Sequence, residues 1–206
     1  DNIKSRIHKK NITISFVPIQ KLNKLTSYNH QGIVATISPV SVQTLNYFEN
    51  KIKNCDKCLI LILDGITDTK NFGAIIRTAE CFGVDFIIIP KSGTSPINGE
   101  TIKSSSGAIF NVPICKVDHI RDAIFFLKEF GIKIIGSDDG ASNDLFKYKF
   151  DSKTAIIMGS EGDGIKKSTL ALCDEKVSIK LYGKLSSLNV SVAAGIFLSE
   201  FKRQSV

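Results

Sequence analysis

Three short segments, here called the polar segments after the polar residues they carry, are best placed in this chain to bind a ligand. They are residues 71–79, the glycine-rich residues 159–164 and the loop 186–189. The third segment follows an alternating apolar stretch, residues 177–181, and precedes an almost wholly apolar helix. A loop in that position reaches the end of a strand where open α/β sheets bind ligands. The sequence therefore predicts a ligand site around these loops.

Each segment also has an ordinary structural interpretation. Asn71 is a residue type that caps helices, and at 100° per residue Arg77 points about 140° away from Phe72, toward solvent. Ser187 and Asn189 are likewise common at helix starts. The glycines of residues 159–164 suit a flexible turn, because glycine permits positive φ. This segment is neither a Gly-x-Gly-x-x-Gly nor a Gly-Lys-Ser/Thr phosphate-binding motif.

The elements that must position these segments alternate between strands and helices. Apolar runs predict strands over residues 58–63, 86–90, 133–137, 154–158 and 177–181. Helical periodicity predicts helices over residues 41–54, 72–81, 118–130 and 165–173, and one beginning at residue 189. This pattern predicts an α/β fold with a mainly parallel sheet and helices on both faces. Residues 91–106 form a long loop, and residues 138–149 a polar connector.

Length and composition favour one main domain with a small appendage. The chain has 206 residues, 43% of them hydrophobic, and a formal net charge of +7, which suits a polyanionic partner such as RNA. In residues 1–30, the most basic stretch, we expect a short helix end, a strand over residues 12–17 and a turn-rich connector over 18–28. No apolar run approaches the ~20 residues of a membrane span, and no secretory signal opens the chain, so we expect a cytoplasmic protein.

The five cysteines do not form a disulfide framework. Their number is odd and most lie in apolar segments. Cys55 and Cys58 form a Cys-x-x-Cys pair, but no second pair or suitably spaced histidines complete a zinc site. We therefore expect no metal. His30 is interpreted as a structural hydrogen-bonding residue.

The polar segments together resemble the signature motifs of a known family. Ile179-Lys-Leu-Tyr-Gly and Ser187-Leu-Asn-Val-Ser-Val-Ala193 are similar to the third motif of the SpoU/TrmH family of RNA ribose 2'-O-methyltransferases, the SPOUT class. Residues 71–79 match its Asn-x-Gly-x-x-x-Arg-x-Ala, and residues 158–164 its Gly-Ser-Glu-Gly segment. Residues 29–35, Asn-His-Gln-Gly-Ile-Val-Ala, resemble a junction typical of its bacterial 23S rRNA guanosine 2'-O-methyltransferase branch.

The resemblance implies an architecture that periodicity does not reveal. It implies a deep trefoil knot in the C-terminal part of the α/β fold. It also implies that residues 1–35 are the tail and linker of an N-terminal RNA-binding domain like a ribosomal protein, and that residues 36–206 are the methyltransferase domain. The apolar C-terminal helix must be covered on more than one side, which fits the homodimer that the family forms.

The resemblance also implies the site and its chemistry, the transfer of a methyl group from S-adenosylmethionine to a ribose 2'-hydroxyl of RNA. The residues expected to converge on the nucleotide are Arg77, Asn71, Glu161, Ser187 and Asn189. The residues expected to hold S-adenosylmethionine are Gly159, Ser160, Gly162, Ile179, Leu181, Ser187 and Leu188. The family proposal makes the arginine a general base. Because arginine is always protonated in proteins, clamping of a phosphate by Arg77 is an equal alternative.

Two residues differ from the family motifs, and two alternatives to the expected function are considered. Lys180 stands where the family has proline and Ser186 where it has glutamate. The first leaves the loop less stiff, and the second removes a charge. The expected substrate is a guanosine of 23S rRNA, with transfer RNA as the alternative substrate. A catalytically silent RNA-binding assembly factor is the alternative from another functional class.

Overall fold

A computed structural model of the protein describes residues 7, 10, 12–27 and 29–205, and it divides the chain into two compact units, residues 1–39 and 40–206. The smaller unit contains helix α1, Ile19–Leu25. Its His30 Nδ1 accepts a hydrogen bond from the Gly32 backbone N–H at 2.9 Å. Nε2 therefore carries the ring proton and donates it to Asn23 Oδ1 at 2.8 Å. His30 thus has a structural hydrogen-bonding role.

Two predictions for the smaller unit are wrong. Residues 12–17 are not a strand, and the connector predicted over residues 18–28 contains α1. A strand needs a neighbour for its backbone groups, and no ladder forms on residues 12–17 within the described part of the chain. Ile12 and Phe16 are exposed rather than packed on one face. The short helix end expected before residue 12 lies outside the described residues, apart from Ile7 and Lys10.

The larger unit is built on one parallel sheet. Its described strands are β1 Val42–Gln43, β2 Cys58–Asp64, β3 Phe86–Pro90, β4 Ile114–Val117, β5 Lys133–Ser137, β6 Asn143–Asp144, β7 Lys153–Gly159 and β8 Glu175–Ser178. Their order across the sheet is β1-β4-β3-β2-β7-β5-β8-β6, and every neighbouring pair is parallel. The sheet is therefore of the mainly parallel type predicted, and the carboxyl ends of all these strands lie at one edge.

The central strand β2 is buried on both faces, as its continuous apolar run predicts. Leu59, Leu61 and Leu63 point to one face, and Ile60 and Ile62 to the other. The register of β2 with β7 pairs Asp64 with Gly159. The loop that leads to the first polar segment and the second polar segment itself therefore begin side by side at the carboxyl edge of the sheet.

Helices cover both faces of the sheet. The described helices of the larger unit are α2 Leu45–Asn54, α3 Thr69–Cys81, α4 Gly99–Ser104, a 3-10 turn Ala108–Phe110, α5 Ile120–Glu129, α6 Lys167–Leu170 and α7 Val190–Ser205. The leucine face packs against α3 and α7, and the other face packs against α2 and α5. Within the described residues, no helix is long and apolar enough to cross a membrane.

The predicted elements differ from the structure at their ends and in three short strands, β1, β4 and β6, that no apolar run predicted. Strand β1 lies within the helix predicted over residues 41–54, which begins only at Leu45. Strand β8 stops at Ser178 rather than at residue 181, because its last paired residue is Val177 on the side of β5 and Ser178 on the side of β6. Helix α6 is shorter than the predicted 165–173. Residues 91–106 are not only loop: they contain α4, whose first turn is capped by Asn98 Oδ1, which accepts from Glu100 N and Thr101 N.

The C-terminal helix α7 is tied to the connector before β7 by a buried polar cluster. Glu200 is only 5% exposed and binds Arg203 through two hydrogen bonds of 2.7 and 2.8 Å. Gln204 donates to Glu200 at 2.7 Å and to the Tyr148 carbonyl at 2.8 Å, and accepts from the Phe150 N–H at 3.0 Å. This cluster fixes the end of a helix whose start carries the third polar segment.

Glu200→Gln is expected to lower the free energy of unfolding by about 2 kcal/mol near neutral pH, because it removes a charged hydrogen-bond acceptor from the cluster. Hydrogen bonding from Arg203 lowers the pKa of Glu200. The carboxylate's contribution is therefore complete above the ordinary carboxyl pKa of about 4.3 and is lost as the pH falls through the lower folded value. Urea unfolding of both proteins across this pH range measures the difference.

The matched control is Glu129→Gln, at an exposed position at the end of α5, which should be nearly neutral. A stability difference for Glu200→Gln that stayed constant as Glu200 became protonated would contradict the assignment to its charge.

Candidate active site

The side chain of Asn189 joins the three polar segments. Its Nδ2 donates to Asn71 Oδ1 at 3.0 Å and to Glu161 Oε1 at 2.6 Å. These residues are separated by 118 and 28 positions in the chain. Residues predicted from three distant motifs therefore meet at one amide group, and we call Asn71, Glu161 and Asn189 the amide cluster.

The same side chain also caps helix α7. Asn189 Oδ1 accepts from the Ser191 backbone N–H at 2.9 Å and from Ser191 Oγ at 2.6 Å. The capping interpretation and the site interpretation of Asn189 are therefore both satisfied, since the oxygen serves the helix and the nitrogen serves the cluster. Both amide protons are held, so the side chain cannot rotate without losing hydrogen bonds.

Asn71 is not the helix cap that the sequence suggested. Asp68 precedes α3, and its Oδ1 accepts from the Asn71 backbone N–H at 2.7 Å. Asn71 therefore lies in the first turn, with its side chain left to reach Asn189. The physical reason is that Asp68 is equally suited to the capping position and comes earlier in the chain.

The glycine-rich segment is a tight hairpin that presents Glu161. Ser160 and Gly164 exchange backbone hydrogen bonds of 3.0 and 3.1 Å. Gly162 and Gly164 have φ of 93° and 67°, a region that other residues rarely adopt. Gly159 is needed for another reason: a Cβ there would overlap the backbone of Gly164 and Ile165. The hairpin is therefore folded directly onto its own strand.

Asp64 lies beneath this hairpin at the end of β2. It is 2% exposed, and its Oδ1 lies 3.6 Å from Lys166 Nζ. Its Oδ2 has no hydrogen-bond partner in the described part of the chain. The ion pair links the end of β2 to the residue that follows the hairpin. The sequence analysis missed this residue, although a carboxylate that ends a fully apolar run is a usable signal.

A cleft lies beside the amide cluster, at the carboxyl ends of β5 and β8. It has about 30 Å³ of interior space and is lined by Ser137, Asp138, Asp139, Val177, Ile179, Leu181, Leu188, Ala193 and Phe197. This volume is well below the roughly 300–1,000 Å³ of small-molecule sites, so the cleft is a narrow groove in this structure. Leu188 lines the cleft and Asn189 joins the cluster, so adjacent residues connect the two. The cleft combines an apolar wall with two carboxylates.

The structure places the predicted cofactor residues in two groups. Ile179, Leu181 and Leu188 line the cleft, because β8 has ended and the chain turns across it. Gly159, Ser160 and Gly162 belong to the hairpin and do not line the cleft. Their contact with a cofactor stays a prediction.

Arg77 and Ser187 are not brought into contact with the cluster. Arg77 is exposed, six residues beyond Asn71 and thus about 9 Å along α3. Ser187 is exposed as well, and neither side chain has a hydrogen bond or ion pair within the described residues. Arg77 is therefore a free cation beside the site, and no hydrogen bond supports the capping interpretation of Ser187.

The sequence analysis also missed the two carboxylates of the cleft. Asp138 and Asp139 follow β5 directly and were assigned to a polar connector. The usable signal was their position immediately after an apolar strand in a parallel sheet. It could not be used with confidence because the order of the strands, which decides which loops meet, is not visible in periodicity.

Three of the five cysteines are poorly suited to metal or redox chemistry. Burial raises the pKa of Cys58, and it raises the pKa of Cys115 to about 12 and that of Cys173 to about 11. Metal ligands and redox nucleophiles act as thiolates, which these shifts disfavour. Among the described residues, no group of His, Cys, Asp and Glu side chains could hold a metal ion.

Comparisons with known proteins agree with the geometry. The profile of the SpoU rRNA Methylase family matches residues 58–199, and a second profile, for RNA 2'-O ribose methyltransferase substrate binding, matches residues 1–43. A relative in Neisseria meningitidis serogroup B, named 23S rRNA (guanosine-2'-O-)-methyltransferase RlmB, is 39% identical over 199 residues, 96% of this chain and 79% of the relative. A protein of the same name in Vibrio vulnificus is 38% identical over 88% of this chain and 74% of that protein.

A solved structure shares the architecture. It is the SpoU methyltransferase AviRb from Streptomyces viridochromogenes in complex with AdoMet, with a TM-score of 0.70 and 28% sequence identity. The match covers 76% of this chain and 64% of that one. The agreement therefore extends over most of the larger unit.

Gly159→Ala is expected to lower the free energy of unfolding by about 1–3 kcal/mol, because the added methyl group meets main-chain atoms that no rotamer change can move. Gly183→Ala is the matched control, since a Cβ at Gly183 meets nothing within 4 Å. Urea unfolding of the two variants measures the contrast. Equal stabilities would show that the hairpin can move away from β7 at little cost.

Proposed function

Because this chain belongs to the SpoU rRNA methylase family of S-adenosylmethionine-dependent RNA ribose 2'-O-methyltransferases, we propose that it methylates the 2'-hydroxyl of a guanosine in 23S ribosomal RNA. The amide cluster is the observation that carries the proposal. Asn71, Glu161 and Asn189 come from three separate motifs and meet next to a cleft. A protein that only bound RNA would have no need for this convergence.

The cleft fits S-adenosylmethionine in chemistry as well as in position. Its apolar wall, which includes Ile179, Leu181 and Leu188, suits the adenine ring and the hydrocarbon part of the methionine. Asp138 and Asp139 suit a cationic ligand. When bound, S-adenosylmethionine supplies an electrophilic methyl group on a sulfonium. The chain must then align a nucleotide with that group and exclude water.

The amide cluster and Arg77 are suited to hold the nucleotide. Glu161 offers a carboxylate oxygen that can accept a hydrogen bond from a ribose hydroxyl, and Asn189 fixes that carboxylate at 2.6 Å. Arg77 presents a planar guanidinium that can bind a phosphate through two hydrogen bonds. We assign Arg77 to orientation of the phosphate rather than to proton abstraction, because arginine does not release its proton in proteins.

The proposed substrate is ribosomal rather than transfer RNA. The relatives reported above carry the name of a 23S rRNA enzyme at 38–39% identity, and a profile for substrate binding covers residues 1–43. The formal net charge of +7 suits either polyanion and does not separate them. Transfer RNA is therefore the alternative that the experiment must exclude.

We further infer a knotted C-terminal chain and a homodimer. Strand β8 lies between β5 and β6, which are consecutive in the chain and are joined by residues 138–142. The Asp138 N–H binds the Val177 carbonyl on one side, and the Leu145 N–H binds the Ser178 carbonyl on the other. This enclosure supports threading of the later chain through the earlier loop.

The homodimer is inferred from exposed apolar side chains. Tyr182 and Leu185 are 89% and 81% exposed, which supports their burial against a second copy of the chain.

Methyl transfer to unmodified RNA tests the proposal. The protein is incubated with methyl-labelled S-adenosylmethionine and either 23S rRNA or transfer RNA, and the product is mapped by nuclease digestion and mass spectrometry. We expect 2'-O-methylguanosine in 23S rRNA only. Asn189→Asp should slow transfer by about 100-fold or more, because it removes both donated hydrogen bonds and puts a carboxylate beside Glu161.

The matched control is Asn143→Asp, since Asn143 Nδ2 makes a similar bond to Glu175 Oε2 at 3.2 Å outside the cluster. This variant should keep a rate close to that of the wild type. If only transfer RNA became labelled, transfer RNA would replace 23S rRNA as the proposed substrate. Cofactor binding without label in any RNA would favour the assembly factor.

Arg77→Lys separates the two roles considered for Arg77. If Arg77 clamps a phosphate, the single-turnover rate falls by about tenfold or more at every pH, because lysine lacks the planar fork. If Arg77 is a base, the rate of the lysine variant rises at lower pH than that of the wild type, because lysine has the lower pKa. Arg121→Lys, on the other face of the sheet, is the control.

A further inference from the structure

One end of the cleft is acidic and has no compensating base. Asp138 is half-buried and Asp139 is exposed, and both line the cleft directly after β5. Neither carboxylate has a hydrogen bond or an ion pair with any described residue. This is unlike Asp85, Asp118 and Asp174 of the same unit, each of which pairs with a lysine.

The basic residues nearest in sequence point elsewhere. Lys176 precedes Val177, which lines the cleft, so alternation along β8 turns Lys176 to the opposite face. Lys180 lies between Ile179 and Leu181 of the cleft wall, and its Nζ lies 5.9 Å from the centre of the Tyr182 ring. The lining of the cleft contains no lysine or arginine. Its two formal charges are therefore both negative.

The backbone around these carboxylates is held in place. The Asp138 N–H donates to the Val177 carbonyl at 3.0 Å, and the Ala141 N–H donates to the Asp138 carbonyl at 2.9 Å. Ser178 Oγ donates to the Ala141 carbonyl at 3.0 Å. Two of these hydrogen bonds fasten the loop to β8, and the third lies within the loop, so the loop is held before any ligand binds. Charges on a fixed loop act on a ligand with little loss for reorganisation.

The reaction changes the charge of the ligand in this cleft. S-adenosylmethionine carries one more positive charge than S-adenosylhomocysteine, because its sulfonium becomes a neutral thioether when the methyl group leaves. The two ligands otherwise share the same adenosine, ammonium and carboxylate groups. A negative charge in the cleft therefore acts differently on the substrate and the product, and an apolar wall strengthens that effect.

We propose that Asp138 and Asp139 are specificity-determining residues that make the cleft prefer the cationic S-adenosylmethionine over its neutral product. The inference rests on the proposed function, since it takes this cleft as the cofactor site. The consequence is that S-adenosylmethionine replaces the product after each reaction, because the carboxylates attract the donor more strongly than they attract S-adenosylhomocysteine. A negative cleft also disfavours RNA phosphates, which leaves them to the side of Arg77.

Calorimetric titration of the full chain with each ligand tests this inference without measuring activity. Asp138→Asn and Asp139→Asn, and both together, keep side-chain size and remove charge. We expect the double variant to bind S-adenosylmethionine about tenfold more weakly, with S-adenosylhomocysteine affinity within about twofold of the wild type. Asp56→Asn is the matched control, because Asp56 is exposed and precedes β2 at the opposite end of the sheet.

A second measurement needs no variant. Raising the ionic strength from about 0.05 to about 0.5 M should weaken binding of S-adenosylmethionine by the wild type more than binding of S-adenosylhomocysteine, because salt screens the interaction with the extra charge in addition to the interactions that both ligands share. Equal salt dependence would overturn the proposal even if the substituted proteins failed to fold.

The outcomes separate this inference from the proposed function. Equal loss of both ligands in the variants would overturn the charge selectivity and assign the carboxylates to groups that both ligands share. Unchanged affinity for both would overturn any role of these residues. A wild-type protein that bound neither ligand would overturn the cofactor site itself, and with it the proposed function.

Discussion

The arrangement of the site depends on the two hydrogen bonds that the Asn189 side chain donates to Asn71 and Glu161. The donor lies at the start of α7, one acceptor lies in the first turn of α3, and the other lies in the hairpin after β7. Because Asn189 Oδ1 is occupied by the cap of α7, a displacement of the helix would break the cluster and the cap together. The hydrogen bonds that stabilise the start of α7 therefore also fix the geometry of the site.

The two helices that meet at this cluster also pack against each other. A Cβ at Gly195 of α7 would lie at an ordinary contact distance of 3.6 Å from Thr78 of α3, so the glycine gives a close approach without being indispensable. At its far end, α7 is held by the Glu200, Arg203 and Gln204 cluster. The helix is thus fixed along its length, which keeps Asn189 in place despite the exposed loop before it.

Charge divides the two sides of the site. The cleft carries Asp138 and Asp139, whereas Arg77 is an unpaired cation on the outward side of α3 within the described part of the chain. In the proposed function, the carboxylates of the cleft would attract the cationic donor and Arg77 would attract the anionic RNA. Under that proposal, the separation of charge would keep either ligand from occupying the place of the other.

The sequence alone determined the motifs, the alternation of elements and the parallel sheet. Buried parallel strands are continuous apolar runs, and residues 58–63 show this directly. The chemistry was implied by the resemblance of the motifs that contain Asn71, Glu161 and Asn189 to those of a known family. Local errors arose where a partner decides the structure: residues 12–17 have the composition of a strand but no ladder, and β8 ends where its neighbours end.

Only the tertiary structure decided which loops meet. The strand order brings β5 beside β8, so Asp138 and Asp139 face Ile179 and Leu181 across one cleft. The tertiary structure also showed that Asp68, rather than Asn71, caps α3 and that Arg77 does not contact the amide cluster. Periodicity reports the burial of a residue within its own element. The neighbours of an element depend on contacts between residues far apart in the chain, which no local pattern records.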